Sequence, residues 1–402
     1  MNKRLVSVVA VAAAGILLLS GCSQGSSGGG SGDKSPIVVG SVNTDSGAAT
    51  FPEASQAAKA VFDQFNAQGG LDGQKIKYIA QDDKGDPATA TADARQIVGQ
   101  DNAVAMVGSA SLIECELNAK YYEQQGILSI PGIGVDRGCF DSPNISPANV
   151  GPFNDATLTL LYGTNVLHVD HVCALLEIAG NTKPAYQAAI EKWEKVTGQK
   201  LFYADYTVPY GANDYTPYLV KAKQAGCKAI MNNPVEPDSI AMLKNAQAMG
   251  WNDVTWLLLT SVYSTNYANS VSDAGKGVYV PAEFYPFTEV NSQTKAWRDL
   301  MDKNNIKLTA FSQGGYLAAT HFIQVLKQMK KDGKEITRQN VTDALHNLKP
   351  IKDPMIGTPY TFGTAKVHDN NICGWPIQLM TGTNKWAVAD KGGDNWLCIP
   401  KS

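Results

Sequence analysis

The sequence predicts an α/β protein of two lobes, each a mostly parallel sheet covered by helices. Three observations carry that expectation. From Pro36 onward, short apolar runs alternate with amphipathic helical stretches, the order that builds parallel sheets. The alternation restarts near Val172, giving two series rather than one. Residues 36–402 are also enough chain for two domains of ordinary size, and 44% hydrophobic with 18% charged residues is a globular composition.

The elements follow in order. "IVVGSV" is a short apolar strand. "EASQAAKAVFDQFNAQGG" puts Ala57, Ala58, Val61, Phe62 and Phe65 on one helical face and stops at Gly69-Gly70. "KIKYIA" alternates with period two. In "DPATATADARQIVGQ", Asp86 is the expected N-cap and Pro87 the first helical residue. "AVAMVG" is a buried strand, "LIECELNAKYYEQQG" a helix and "ILSIPG" a strand. The second series has strands at "VCALLEI", "LFYADY", "KAIMNN" and "TWLLL", separated by helices near 183–196, 214–225 and 238–249. After "GVYVPAEFYPF", helices are expected near 293–303, 314–330 and 338–348, and "ICGWPIQLMTGTNKWAVA" reads as a β pair. The late helices have no strands of their own. They must pack on a sheet built earlier, which predicts a chain that crosses more than once between lobes.

Ahead of the first strand, Lys3 and Arg4 precede an uncharged apolar run over 5–19. That is the layout of an export signal, too short to span a bilayer comfortably. The run ends Leu19-Ser20-Gly21-Cys22, which resembles a bacterial lipobox. Residues 1–21 therefore read as a signal peptide and Cys22 as a lipidated first residue of the mature chain. Residues 22–35 are mostly Gly, Ser and small polar groups, a flexible tether reaching about 20 Å. The expected location is extracytoplasmic, held at the cell membrane through the lipid anchor alone. With Cys22 set aside, Cys115, Cys139, Cys173, Cys227, Cys373 and Cys398 remain, an even number suited to disulfides in an exported protein. Fifteen pairings are open. Nearest neighbours (Cys115–Cys139, Cys173–Cys227 and Cys373–Cys398) would keep each bridge inside one supersecondary unit. Metal ligation is the rival, with no CxxC or CxH spacing to support it.

The 34 Lys+Arg and 37 Asp+Glu are interspersed, without the basic face that a nucleic-acid partner needs. No GxSxG elbow, Walker A loop or GxGxxG helix start is present, so neither an enzyme nor a cofactor is expected. His168 and His171 lie three apart at the entry to a strand, on opposite faces, which favours packing over a metal pair. Asp82, Asp83 and Asp86 read as a turn and a helix cap rather than a cation site. The positions of interest follow the carboxyl ends of the strands, where open α/β sheets bind ligands. Ser109-Ala110-Ser111 offers backbone N–H groups and hydroxyls at a helix start, with helix capping as the other role for Ser109 or Ser111. Pro131-Gly132-Ile133-Gly134 is a second loop with little side chain, and Phe51 lies just ahead of the first helix, placed to pack on a solute.

These residues sit within a wider pattern. The opening strand with its SG-containing loop, the "NAQGGLDGQKI" turn and the "DDKGDP" turn, with "VGSAS", "GILSIPG", "GKGVYV" and "GGYLAATHFIQVL" further on, resemble the branched-chain amino acid family of solute-binding proteins. The resemblance implies the type I periplasmic binding protein fold, with two Rossmann-like lobes joined by a three-crossover hinge. It places lobe 1 at 36–153 plus 286–360 and lobe 2 at 154–285 plus 361–402. It further implies a monomer that closes on a small-molecule solute and hands it to the permease and ATPase of an ABC importer. A ligand-sensing receptor component of the same fold is the alternative. The family's site pattern maps onto Ser109 to Leu112, Gly132 to Gly134, Thr182 and Ser261, but Leu112 stands where a serine is usual and Ser261 near where an acid is usual. Glu236 is then the substitute acid and Arg137 a possible carboxylate partner, while Phe51, Tyr263 and Tyr285 would frame a more apolar or aromatic solute.

Overall fold

The computed structural model describes residues 35–47, 49–275, 277–389 and 395–400. The signal peptide, Cys22 and all of the tether except Ser35 lie outside the described residues. The first series forms β1 (Ile37–Asn43), α1 (Pro52–Ala67), β2 (Ile76–Asp82), α2 (Pro87–Arg95), β3 (Ala105–Val107), α3 (Glu114–Gln125) and β4 (Ser129–Ile130). Its strands build one parallel sheet in the order β2-β1-β3-β4. The apolar stripe foreseen for α1 is buried through Ala57, Ala58, Val61, Phe62 and Phe65, and Asp86 caps α2 by accepting the Thr89 N–H at 2.8 Å.

The chain then enters α4 (Pro152–Leu161) and continues through β5 (Val172–Glu177), α5 (Lys183–Thr197), β6 (Tyr203–Val208), α6 (Thr216–Ala225) and β7 (Ala229–Asn232). Next come α7 (Glu236–Ala248), β8 (Thr255–Leu258), α8 (Thr265–Val271) and β9 (Val278–Ala282). Helices α9 (Lys295–Lys303), α10 (Ala310–Lys331) and α11 (Arg338–His346) lead to β10 (Cys373–Met380), β11 (Lys385–Val388) and β12 (Leu397–Cys398). The second sheet runs β11-β10-β9-β8-β7-β5-β6, parallel from β6 to β9 and antiparallel from β9 to β11, with β12 on β10.

Although α9 to α11 follow β9 in the chain, α10 lies along α1 and β3, and α11 packs on α10 and β3. The chain therefore passes between the two halves three times: before α4, after β9 and before β10. The close approach of α10 needs its glycines. A Cβ on Gly315 would stand 2.0 Å from the Ala54 carbonyl oxygen, and one on Gly132 would stand 2.8 Å from Gly315 N. The three cysteine pairs are Cys115–Cys139, Cys173–Cys227 and Cys373–Cys398.

Two differences from the sequence expectation have physical causes. Helix α4 has no counterpart in the sequence reading because every residue from Phe153 to Leu161 is buried. A helix covered on all sides has no polar face and so no 3.6-residue alternation to detect. Helix α10 begins four residues before the expected Gly314. Thr309 accepts the Ser312 N–H while the Ser312 hydroxyl returns to Thr309, and this capping box fixes the start upstream of Gly314-Gly315.

Candidate functional site

The strand ends of the first sheet form a tightly bonded ring of small polar groups. Ala110 N–H donates to Asn43 Oδ1 at 3.2 Å, and Leu112 N–H donates to Thr44 Oγ1 at 3.3 Å. Two of the backbone donors foreseen for a carboxylate are thus already engaged. The Ser111 hydroxyl accepts from Glu114 N–H at 3.0 Å and donates to Asp83, so it caps α3 and braces the turn. Asp83 is fully buried and also receives Thr44 Oγ1 and Gly85 N–H, each at 2.8 Å. Ser109 Oγ is buried with no hydrogen-bond partner among the described residues. The Phe51 ring is 9% exposed and meets Phe311 edge-on at 4.9 Å.

The second loop of the first half turns inward. Gly132 abuts Gly314 and Gly315, and a Cβ on Gly134 would meet Pro147, Cys139 and Phe140 at 2.9–3.0 Å. Ile133 is buried and donates its N–H to Ser109 O at 3.1 Å. Their small size serves packing. Arg137 pairs with Asp141 at 2.6 Å and lies over the Phe153 ring, so its charge is used locally.

In the second half, Glu236 accepts from Ser264 Oγ at 2.6 Å and from Asn266 Nδ2. Ser261 Oγ donates to Pro234 O at 2.9 Å, and half-buried Thr182 donates to Ala179 O at 2.8 Å. Tyr263 is buried, stacked on Phe287 at 4.1 Å with its hydroxyl 2.8 Å from Thr288 Oγ1. Tyr285 packs on Trp375 at 4.8 Å and accepts from Asn291 Nδ2. His168 and His171 both take left-handed backbone conformations before β5, and His171 stacks on Phe202 at 4.2 Å. Among the described residues, the group with metal-ligand geometry is Cys115, Asp136 and Cys139, whose two sulfurs are joined in a disulfide.

The crossovers meet at Glu283, just past β9. Its Oε2 receives Asn149 Nδ2 and Val150 N–H at 3.1 Å and Gly151 N–H at 3.2 Å, all from the first crossover. Its carbonyl receives Asn371 Nδ2 from the third crossover at 2.9 Å. Asp155 in the first turn of α4 is buried beside it and accepts Thr260 N–H at 2.7 Å. Burial raises both carboxyls above their ordinary range, and the charge of Glu283 raises Asp155 further. One residue thus ties all three connections: Glu283 lies on the second, its carboxylate holds the first and its backbone carbonyl holds the third.

Two sheets linked by three crossover segments that meet at Glu283 define the architecture. The periplasmic binding protein family model matches residues 36–384. The chain belongs to the periplasmic binding protein family. Members of this family are extracytoplasmic solute-binding proteins, and the fold is the type I arrangement. Several solved structures share it. The branched-chain amino acid substrate-binding protein LivJ of Streptococcus pneumoniae, in complex with isoleucine, is 17% identical with a TM-score of 0.72, covering 87% of this chain and 97% of that one. A branched-chain amino acid ABC transporter protein of Thermus thermophilus with bound valine is 15% identical with a TM-score of 0.75, covering 89% and 96%. A solute-binding protein of R. palustris in complex with 4-hydroxybenzoate is 16% identical with a TM-score of 0.72, covering 91% and 98%. An amino acid binding protein of Pseudomonas aeruginosa is 26% identical over 232 residues, 53% of this chain and 58% of that protein.

In this periplasmic binding protein, sequence reasoning missed Glu283 and Asp155 at the crossovers, and Glu177, a buried acid at the end of β5 whose side-chain oxygens have no hydrogen-bond partner among the described residues. For Glu177 a signal existed, an acid closing the otherwise apolar strand "VCALLEI". Glu283 carries none, because its role depends on donors 88 to 134 residues away in the chain.

Proposed function

We propose that this chain is a lipid-anchored solute-binding protein that captures a small organic solute between two lobes and delivers it to an ABC importer. The observation that carries the reading is the Glu283 knot. All three connections pass one point, so the halves can rotate about it while each sheet stays rigid. Solute bound to one half gains contacts from the other only on closure, and that differential affinity drives the motion. The lobes are 36–153 plus 286–360 and 154–285 plus 361–402, a division that agrees with the membership of the two sheets and the packing of α10 on α1. Cys22 is the lipidated residue, and the molecule acts as a monomer. Phe51 and the Ser109–Leu112 loop supply the first-lobe contacts, and the ends of β5, β7 and β8 supply the second. The solved relatives hold isoleucine, valine or 4-hydroxybenzoate, which supports a small carboxylate-bearing solute.

A thermal-shift screen of the purified chain tests this. A solute at a hundredfold over its Kd stabilises by about 2.7 kcal/mol, a clear rise in Tm. Amino acids, amides, aromatic acids and short aliphatic acids form the panel. A flat response to the whole panel would count against solute capture.

A further inference from the structure

The joint where the crossovers meet holds two buried carboxyls, and no cation among the described residues forms an ion pair with either. Glu283 Oε2 takes its three donors from the bend of the first crossover, where Gly151 turns with φ +79°. Asp155, further along, donates its N–H to Gly151 O at 2.9 Å and accepts Thr260 N–H at 2.7 Å. Its other oxygen, Oδ1, is buried with no partner among the described residues. Thr260 closes the ring, since its Oγ1 accepts Glu283 N–H at 3.0 Å. One circuit of hydrogen bonds therefore runs through both carboxyls and through the first and second crossovers.

Two neighbouring buried carboxyls without a cation cannot both be charged at low cost, so the pair retains a proton. That proton belongs on Asp155, because Glu283 has three donors to steady a negative charge and Asp155 has one. A protonated Oδ1 also accounts for an oxygen that meets no donor. We propose that the joint is proton-operated: with one proton the pair grips the first crossover, and a second proton, on Glu283, releases it and couples lobe motion to pH. The proposal rests on the hinge in the solute-capture reading and adds regulation to it. Its direction follows from linkage within the folded state. Burial pushes Glu283 up to about 7, against the pull of its three donors. A conformation that gives up those donors while staying buried binds the proton more tightly still, so acid favours it. Acid does not unfold the chain through Glu283. Its contribution to folding stability is complete below about pH 4.5 and is lost as pH rises through 7.

The other titratable groups around the pair are engaged outside it. Tyr186 of α5 feels the charge of Asp155 and bonds Asn233, and Arg137, over the Phe153 ring, pairs with Asp141. Lys192 and Asp369 both bond Asn154, and His368 on the third crossover lies 2.8 Å from Ser142 O through Nδ1. Asp353 accepts Met355 N–H, and Met355 O in turn takes Tyr285 N–H on the second crossover.

The test is amide hydrogen exchange on the purified chain at pH 8 and 5.5, each rate divided by its intrinsic value at that pH. Protection of the Val150 and Gly151 amides should fall at least fivefold at pH 5.5, while Ala58 in α1 keeps its protection. Glu283→Gln should show the lower protection at both pH values. Calorimetry with L-isoleucine and 4-hydroxybenzoate, which keep their charge over that range, reads the coupling to capture. A probe that binds should bind at least threefold more weakly at pH 5.5, because closure must then also order the joint, and Glu283→Gln should bind it alike at both. The proposal is overturned if Val150 and Gly151 are equally protected at both pH values, or if folded Glu283→Gln keeps the wild-type difference. Should that variant not fold, the ¹³C signal of the Glu283 carboxyl decides, and a signal that stays fixed between pH 8 and 5.5 also overturns it. A probe bound equally tightly at both pH values leaves solute capture standing and removes the coupling. If the amides respond and neither probe binds, the proton-operated joint stands and capture of these two solutes fails.

Discussion

The strand ends of the two sheets in this molecule are built on different principles. In the first half, the buried carboxylate Asp83 is answered by two hydroxyls and a backbone N–H, and Asn43 and Thr44 take up the donors of the next loop. In the second half, Glu177 and Asn232 carry acceptors that no described donor meets. The first surface has its carboxylate and most of its loop donors satisfied, with Ser109 Oγ left without a partner among the described residues. The second is chemically incomplete and offers specificity. In the solute-capture proposal, such a division would let closure bring a rigid wall against a surface that gains bonds only on contact.

The comparison can be broken most severely at the joint. Glu283→Ala leaves the Val150 and Gly151 N–H groups buried without an acceptor and Asn149 Nδ2 with Gly134 O alone, which should destabilise the fold by about 3–5 kcal/mol in urea unfolding. Glu283→Gln, keeping one carbonyl oxygen, should cost clearly less. Next in size is a pH effect confined to the second half. Glu177 lies at about 9 in the folded protein against an ordinary 4.5, so the unfolded chain releases this proton first. The stability linked to it is complete below about pH 4.5 and is lost as pH rises through 9. Glu177→Gln should therefore flatten the decline of Tm between pH 5 and 8, and an unchanged slope would remove Glu177 from the account.

On the first half, Phe51→Ala should weaken solute binding by about 1–3 kcal/mol. Because the ring is buried against Phe311, the free protein should also lose stability, and calorimetry with parallel unfolding curves separates the two effects. Ser111→Ala removes a helix cap and one of the donors to Asp83, a loss of about 1–2 kcal/mol in unfolding with the solute preference unchanged. The smallest expected change is at Glu236. Its carboxylate is occupied by Ser264 and Asn266, so Glu236→Gln should leave solute affinity within about twofold. A larger loss would place Glu236 among the solute contacts.

Much of the fold was legible because amphipathic elements advertise themselves. Helix α1 shows its buried stripe at 3.6-residue spacing, Asp86-Pro87 marks the start of α2, and the restart at "VCALLEI" announces the second sheet. The nearest-neighbour cysteine pairing was also readable from chain order. Helix α4 was not, because full burial erases the alternation that betrays a helix.

The site divides along the same line. The sequence determined which loops end the strands and which small residues line them, since those are local properties of turns and caps. Tertiary structure alone decided what each side chain is free to do. Gly132 and Gly134 proved to be packing positions because α10 and the Cys139 region press on them. Glu236 and Arg137 proved to be occupied by neighbours. Glu177 was left with unanswered oxygens by the placement of α7 against β5. Hydrogen-bond satisfaction depends on every donor within about 3 Å, whatever its distance along the chain, and that sum exists only once the chain has folded.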